Sequence, residues 1–281
     1  MRFDSTEAAG GLQLAALPAL LAAAAVLLLS ACSRGASSGE LTVAGSTSIQ
    51  PFCDRWAEVY MEDHAGCAVN VQGGGSSAGI QAARSGAAHI GMSSRPLKPE
   101  EEDLVEIVVA RDGLAIIVHP ENVLESLSLQ EVRAVFEGSV RSWSVLGGPA
   151  KPVHVITREE GSGTRGAFQE LVMGDSRIFR GAIVQDSNGT VREIVAGDPN
   201  AVGYISLGLV DDRVRALKLD GVEATEESIE SGAYPLVRPF LFVAREAPRD
   251  RAGNFLDFVL SEEGQALIKK EGLIPVRRRT P

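Results

Sequence analysis

The chain has 281 residues, 44% hydrophobic and 23% charged, a globular composition sufficient for two domains or lobes with cores of their own. Its formal net charge of −10 leaves no basic surplus with which to displace counterions from nucleic acid, so non-specific nucleic-acid binding is excluded. Any anion site must be built locally, from a few fixed donors acting against the overall field.

The chain opens on a targeting segment. Leu12 to Leu29 is almost wholly apolar and is followed by Leu29-Ser30-Ala31-Cys32. This resembles the lipobox of bacterial lipoproteins, in which the cysteine is lipidated and becomes the new N-terminus. An ordinary transmembrane anchor is the alternative, because the apolar run is nearly long enough to span a bilayer. Residues 1–31 are therefore expected to be a lipoprotein signal peptide and Cys32 the lipidation site. Residues 32–40, mostly small and polar, are expected to form a flexible tether. The leader carries Arg2 but also Asp4 and Glu7, so its removal takes away one cation and two acids and leaves a formal charge of −9.

Beyond the tether, strands and helices alternate. Leu41 to Ala44 is a predicted strand, and Pro51 to His64 a helix with Phe52, Trp56, Val59 and Tyr60 on one stripe. Ala68 to Val71 and Ala88 to Met92 are strands, with a helix from the Gly73-Gly74-Gly75-Ser76-Ser77 loop through Ala83 between them. A second α/β segment begins with the strand Leu114 to Val118. A helix follows over Ser128 to Phe136, with Ser128 and Glu131 spaced as a capping box. Val153 to Ile156 and Val202 to Ile205 read as strands, and Gly166 to Met173 as a helix. Pro239 to Val243 is an apolar run bounded by proline, and Phe255 to Lys270 reads as one closing amphipathic helix. Cys53 and Cys67 fall at opposite ends of the first helix, roughly 15 Å or more apart at 1.5 Å per residue. A disulfide tolerates Cα separations of only about 7 Å, so both are expected to be small apolar fillers.

The strands end in loops of small residues and hydroxyls. In an open α/β sheet such loops gather at the carboxyl ends of the strands, where ligands bind, and helix starts there offer unpaired N–H groups and a positive dipole end. A tetrahedral oxyanion must exchange its water shell for many short donors, and backbone N–H groups, Ser and Thr hydroxyls and Arg forks supply them. The candidates are Ser46, Thr47 and Ser48 on the first loop, Ser76 and Ser77 on the second, and Ser94 and Arg95 on the third. The segment 158–165 adds Arg158, Ser162, Gly163, Thr164 and Arg165. Gly161 and Gly163 would let the backbone approach closely.

The residues that carry these features resemble the phosphate-binding proteins of bacterial phosphate ABC transporters. The likeness lies in Ala44-Gly45-Ser46-Thr47-Ser48, Gly73-Gly74-Gly75-Ser76-Ser77, Ile90-Gly91-Met92-Ser93-Ser94-Arg95 and, most specifically, Arg158-Glu159-Glu160-Gly161-Ser162-Gly163-Thr164. It extends from Leu41 to Val276 and includes Trp143-Ser144 and Gly203-Tyr204. The resemblance implies an α/β, two-lobe periplasmic-binding-protein fold of type II-like arrangement, with a hinge and an interlobe ligand cleft. Residues 41–116 and the return segment 238–281 would form lobe one, and 117–237 lobe two. It places Thr47, Ser48, Ser76, Arg158, Ser162, Gly163 and Thr164 on phosphate-contacting positions. Ser46, Ser77, Arg95 and Arg165 are further donors by their proximity in sequence. Some members carry an Asp where Ser94 stands, a carboxylate that accepts the proton of hydrogen phosphate. Ser94 can accept a hydrogen bond but carries no charge, which bears on phosphate against sulfate.

The implied partners are inorganic phosphate, the permease and ATPase subunits of an ABC importer, and a membrane reached through a lipid anchor. The protein would be exported, monomeric, free of cofactor and metal, and not an enzyme. The same scaffold also suits sulfate, molybdate or a phosphorylated solute, and a phosphate-sensing or adhesion lipoprotein is a further alternative. A phosphatase using Ser162 or Thr164 as nucleophile would need a general base or metal cluster. The four histidines, His64, His89, His119 and His154, lie in none of these loops, and no Gly-Lys-Ser/Thr nucleotide loop occurs.

Overall fold

The computed structural model describes residues 39–276. The leader, Cys32 and the tether up to residue 38 lie outside the described residues.

The first half of the fold is a repeated strand-helix unit. Strand β1 (Glu40–Gly45) leads into α1 (Gln50–Asp63), then β2 (Ala68–Gly73), α2 (Ser76–Ser85) and β3 (Ile90–Ser93). Both β2 and β3 pair with β1 in parallel. Pro51 sits in the first turn of α1, where its missing N–H costs nothing. Phe52, Cys53, Trp56, Ala57 and Tyr60 then recur at helical spacing and are buried. Cys53 and Cys67 are both free thiols, and burial pushes the Cys53 thiol well above its ordinary pKa.

Strand β4 (Val105–Val118) is 14 residues long and is the spine of the molecule. It precedes β5 (Ser126–Leu127), α3 (Leu129–Glu137), β6 (His154–Arg158), α4 (Gly163–Phe168) and β7 (Ile183–Gln185). Next come α5 (Asn188–Gly197), β8 (Ala201–Ser206), β9 (Arg215–Ala216), β10 (Lys218–Leu219) and α6 (Glu226–Glu230). The chain closes with β11 (Val237–Ala244), α7 (Asp250–Val259), α8 (Glu262–Lys270) and β12 (Ile274–Pro275). The main sheet runs β2-β1-β3-β11-β4-β8-β6-β7. The first part of β4 pairs antiparallel with β11, from Val105↔Ala244 to Gly113↔Val237, and its last five residues pair antiparallel with β8. One strand thus serves both halves of the sheet. Leu41, Phe52, Trp56, Phe240, Phe242 and Phe255 form a core on one side of this crossing. Leu114, Ile116, Phe136, Trp143, Phe168 and Tyr204 form a core on the other. The described residues thus have the mixed α/β architecture of the two-lobe periplasmic-binding-protein fold.

Several elements depart from the sequence-based expectation. β4 begins at Val105 rather than Leu114. Arg111-Asp112-Gly113 has the composition of a turn, yet it continues the strand because Asp112 is paired inside and Arg111 donates to the Ile229 carbonyl. The helix expected over Gly166 to Met173 starts three residues earlier, because Ser162 caps it by accepting from Arg165 N, and its last turn, Gln169–Met173, is a π-turn. The single closing helix is two: Ser261 caps α8 by accepting from Gly264 N, and a Cβ at residue 264 would overlap the Phe258 carbonyl. Strand β7 and helix α5 were not distinguished in the sequence. In α3, by contrast, Ser128 and Glu131 form the reciprocal capping box that their spacing indicates.

Candidate anion cradle

The strand-end loops converge where the two halves of the sheet meet. Gly45 ends β1 at a φ of +140°, and a Cβ there would overlap the Met92 carbonyl. This is a close approach that only glycine permits. It lets Ser46, Thr47 and Ser48 turn immediately across the top of β3. Gly75, at φ +87°, donates its N–H to the Gly45 carbonyl at 2.9 Å and starts α2 with Ser76. Ser46, Ser48, Ser76 and Ser94 are all buried.

Their hydroxyls interlock. Ser46 Oγ accepts from Ser48 N at 3.2 Å and donates to Ser94 Oγ at 2.8 Å. Ser76 Oγ accepts from Ser94 N at 3.1 Å and lies 3.4 Å from Ser94 Oγ. From the other side, Thr164 Oγ1 lies 2.7 Å from Ser48 Oγ. Gly163 is packed so closely that a Cβ there would overlap the hydroxyls of Ser76 and Ser94. Loops from β1, β2, β3 and β6 thus meet within hydrogen-bond distance.

Arg158 ends β6 and is 1% exposed. Tyr204 OH receives its N–H at 3.3 Å and bonds Thr157 Oγ1 at 2.7 Å, which fixes the backbone. Its guanidinium holds the Glu159 carboxylate bidentately, with Nε and Nη2 each at 3.0 Å, and Nη2 also reaches Thr47 Oγ1 at 3.2 Å. Asn188, the first residue of α5, presents its amide oxygen to Arg158 Nη1 at 3.0 Å and to Ser48 Oγ at 2.9 Å. A second cation, Arg238 on β11, donates from Nη2 to Ser48 Oγ at 3.2 Å and from Nη1 to the Ser94 carbonyl at 3.4 Å. Arg238 is itself paired with Asp112 at 2.8 Å, and both are almost wholly buried. Burial pushes the Asp112 carboxyl up, against the Arg238 charge and the Ser206 and Leu207 donors. Burial likewise lowers Arg238.

The remaining sequence candidates stand apart. Arg95 is not aimed into this cluster. Its two terminal nitrogens grip Glu101 at 2.7 and 2.9 Å, and the pair is buried. Ser77 sits at the edge, where its N–H donates to the Gly161 carbonyl at 3.1 Å. Arg165 Nη1 donates to the Arg158 carbonyl at 2.7 Å rather than to Glu159 or Glu160. Ser162 Oγ is engaged as the α4 cap. Arg95, Lys98, Glu160, Arg165 and Gln169 instead line a neighbouring cavity of about 470 Å³. Asn188, Asp112, Ser206 and Arg238 were missed. Ser187-Asn188-Gly189-Thr190 has the spacing of a helix start and could have been found. Asp112 and Arg238 give no local signal, because only the β4–β11 register sets them opposite one another.

The cluster offers hydroxyls, two buried Arg forks and tightly apposed glycine backbone. Each of the two guanidiniums is matched by a carboxylate, so the pocket is neutral and suits a small oxyanion held by directed hydrogen bonds. Among the described residues no group of three or more His, Cys, Asp or Glu could hold a metal ion, and no helix is long and apolar enough to cross a membrane.

Residues 30–263 match the model of the PBP superfamily domain. The phosphate-binding protein PstS of Bacillus subtilis is 33% identical over 246 residues, which cover 85% of this chain and 82% of that one. A Clostridium perfringens protein assigned as a phosphate ABC transporter substrate-binding protein, solved with bound phosphate, is 41% identical. Its TM-score is 0.82, with 85% of this chain and all of that one covered. An ABC-type phosphate transport receptor from Vibrio cholerae is 35% identical with a TM-score of 0.71, covering 84% of this chain and all of that one.

Proposed function

The chain belongs to the PBP superfamily and, within it, to the phosphate-binding proteins, and from that membership we propose that it captures inorganic phosphate outside the cytoplasmic membrane and delivers it to an ABC-type importer. The observation that carries this reading is the meeting of the loop after β1 with the segment after β6, where Ser48 reaches Thr164 and Thr47 reaches Arg158 at hydrogen-bond distance, with Asn188 of α5 bridging Ser48 and Arg158. A tetrahedral anion needs donors from several directions, and no single loop could supply them.

On this reading Thr47, Ser48, Ser76, Arg158, Gly163 and Thr164 hold the anion, and Ser46 and Ser94 orient their neighbours. Asn188 joins them through its amide. Arg95, Ser77 and Arg165 support the rim, and Ser162 acts through the start of α4. Residues 41–116 with 238–276 form one lobe and 117–237 the other, with the hinge where β4 and β11 pair. Two cores support a division within β4, and because Leu114 and Ile116 pack in the second core they draw its boundary back toward Gly113. Small-angle scattering should then show compaction when phosphate is added, and an unchanged profile would count against a hinge. The chain acts as a lipid-anchored monomer with no catalytic step of its own.

Ser94 in place of a carboxylate favours a second reading, in which sulfate or molybdate is the cargo. Deleting the gene in the source organism separates the two. Loss of high-affinity radiolabelled phosphate uptake with sulfate uptake intact supports phosphate delivery, and the reverse pattern refutes it.

A further inference from the structure

Asp112 and Arg238 are direct partners across the β4–β11 ladder. Their side chains are 0% and 1% exposed, and both Nε and Nη2 of Arg238 reach Asp112 Oδ2, at 2.9 and 2.8 Å. Asp112 Oδ1 accepts from Ser206 Oγ, on β8, at 2.7 Å. A fully buried ion pair is a poor source of stability, since well-packed apolar residues often serve as well or better. What this pair does is better judged from its other contacts.

Arg238 continues past Asp112 to Ser48 Oγ and the Ser94 carbonyl. By donating to Ser48 Oγ it occupies a lone pair of that hydroxyl. The Ser48 hydrogen is directed to the Asn188 amide oxygen, 2.9 Å away. Arg238 is also close enough to Arg158 for the Arg158 charge to add to burial in lowering Arg238. The charged groups around the cradle are Arg158 with Glu159, Arg238 with Asp112, and Arg165, which donates to the Arg158 carbonyl and whose charge also reaches the Tyr204 phenol. Of the other titratable groups facing the pair, the Tyr204 phenol lies on the Arg238 side and the Tyr234 phenol on the Asp112 side, and burial holds both phenols above their usual pKa.

We propose that the buried Asp112–Arg238 pair sets the charge specificity of the cradle. Arg238 fixes the Ser48 hydroxyl and the Ser94 carbonyl in place. Asp112, acting through Arg238, is a positioning residue whose carboxylate offsets the Arg238 charge, so that a dianion gains no surplus attraction over monoanionic dihydrogen phosphate. The inference rests on the reading of the cradle as a phosphate site. It also relocates charge discrimination from position 94, which holds a serine, to a buried pair behind it.

The test is calorimetric titration of wild type, Asp112→Asn and Arg238→Lys with phosphate and with sulfate, on either side of phosphate's second ionisation. Asn at 112 keeps the shape, the acceptor for Arg238 and a partner for Ser206, but removes one negative charge. Below phosphate's second ionisation the sulfate-to-phosphate affinity ratio should then rise at least ~10-fold, and phosphate affinity should climb more steeply as the dianion forms. Arg238→Lys keeps the charge but cannot span Asp112, Ser48 and Ser94 together. It should weaken phosphate about 10-fold with the sulfate-to-phosphate ratio near wild type. A folded Asp112→Asn protein with the wild-type ratio and pH profile overturns the proposal. If that variant does not fold, Arg238→Lys with wild-type phosphate affinity overturns it. A wild-type protein that ignores phosphate in the same titration refutes the functional reading itself, a distinct failure visible before any variant is compared.

Discussion

Truncating Arg158 should cost more binding than truncating any other side chain of the cradle. Its guanidinium is 1% exposed and serves Glu159, Thr47, the Asp186 carbonyl and the Asn188 amide at once. Ala at 158 would remove the fork and leave the Glu159 carboxylate beside the anion without its counter-charge. A hydrogen bond to a charged group is worth roughly 1.5–3 kcal/mol, and an anion left partly unpaired costs more. At about 1.4 kcal/mol per decade, Arg158→Ala should weaken phosphate binding at least ~10-fold, and ~100-fold if two such bonds are lost. Arg158→Lys should recover the charge but little of the affinity, because one ammonium cannot fill both arms of the fork. Titration calorimetry on variants whose circular dichroism matches wild type gives the numbers. If Arg158→Lys binds phosphate within about threefold of wild type, the bidentate argument fails.

Four further outcomes are expected. Gly163→Ala should abolish or severely weaken phosphate binding in the same titration while leaving the circular dichroism intact, since the added Cβ would overlap the Ser76 and Ser94 hydroxyls; near-normal affinity would show that the apposition is not needed. Arg95→Ala should lower the melting temperature more than it alters phosphate affinity, because Arg95 is committed to Glu101. The hydrogen bond from Arg95 holds the Glu101 carboxyl below its ordinary range. The stability gap between wild type and Glu101→Gln should therefore be fully present above the unfolded carboxyl pKa of about 4.3 and shrink as pH falls through the lower folded value. A gap that widens on acidification would contradict this. Cys32→Ala should release the protein from the membrane fraction or leave it unprocessed, and wild type that never incorporates radiolabelled fatty acid would exclude the lipid anchor.

Much of this fold is written locally. The stripe of Phe52, Trp56 and Tyr60, the Ser128–Glu131 box, the glycine-serine loops after β1 and β2 and the Ser94-Arg95 turn after β3 can each be seen within a dozen residues. What escapes is what depends on pairing at a distance. Arg111-Asp112-Gly113 looks like a turn until Arg238, 126 residues away from Asp112, supplies the charge that lets the strand run on. Arg95 looks like a ligand fork because Ser94 precedes it, and only the Pro99–Glu101 turn, which brings Glu101 back, decides otherwise. Proximity in sequence thus identified the loops of the cradle, but not which side chains on each loop turn inward.

The most direct measurement is titration of the purified protein, freed of bound anion, with phosphate, sulfate and molybdate. One phosphate should bind per chain, with sulfate and molybdate much weaker. Failure to bind phosphate, or tighter binding of sulfate, would contradict the assignment of phosphate as the cargo.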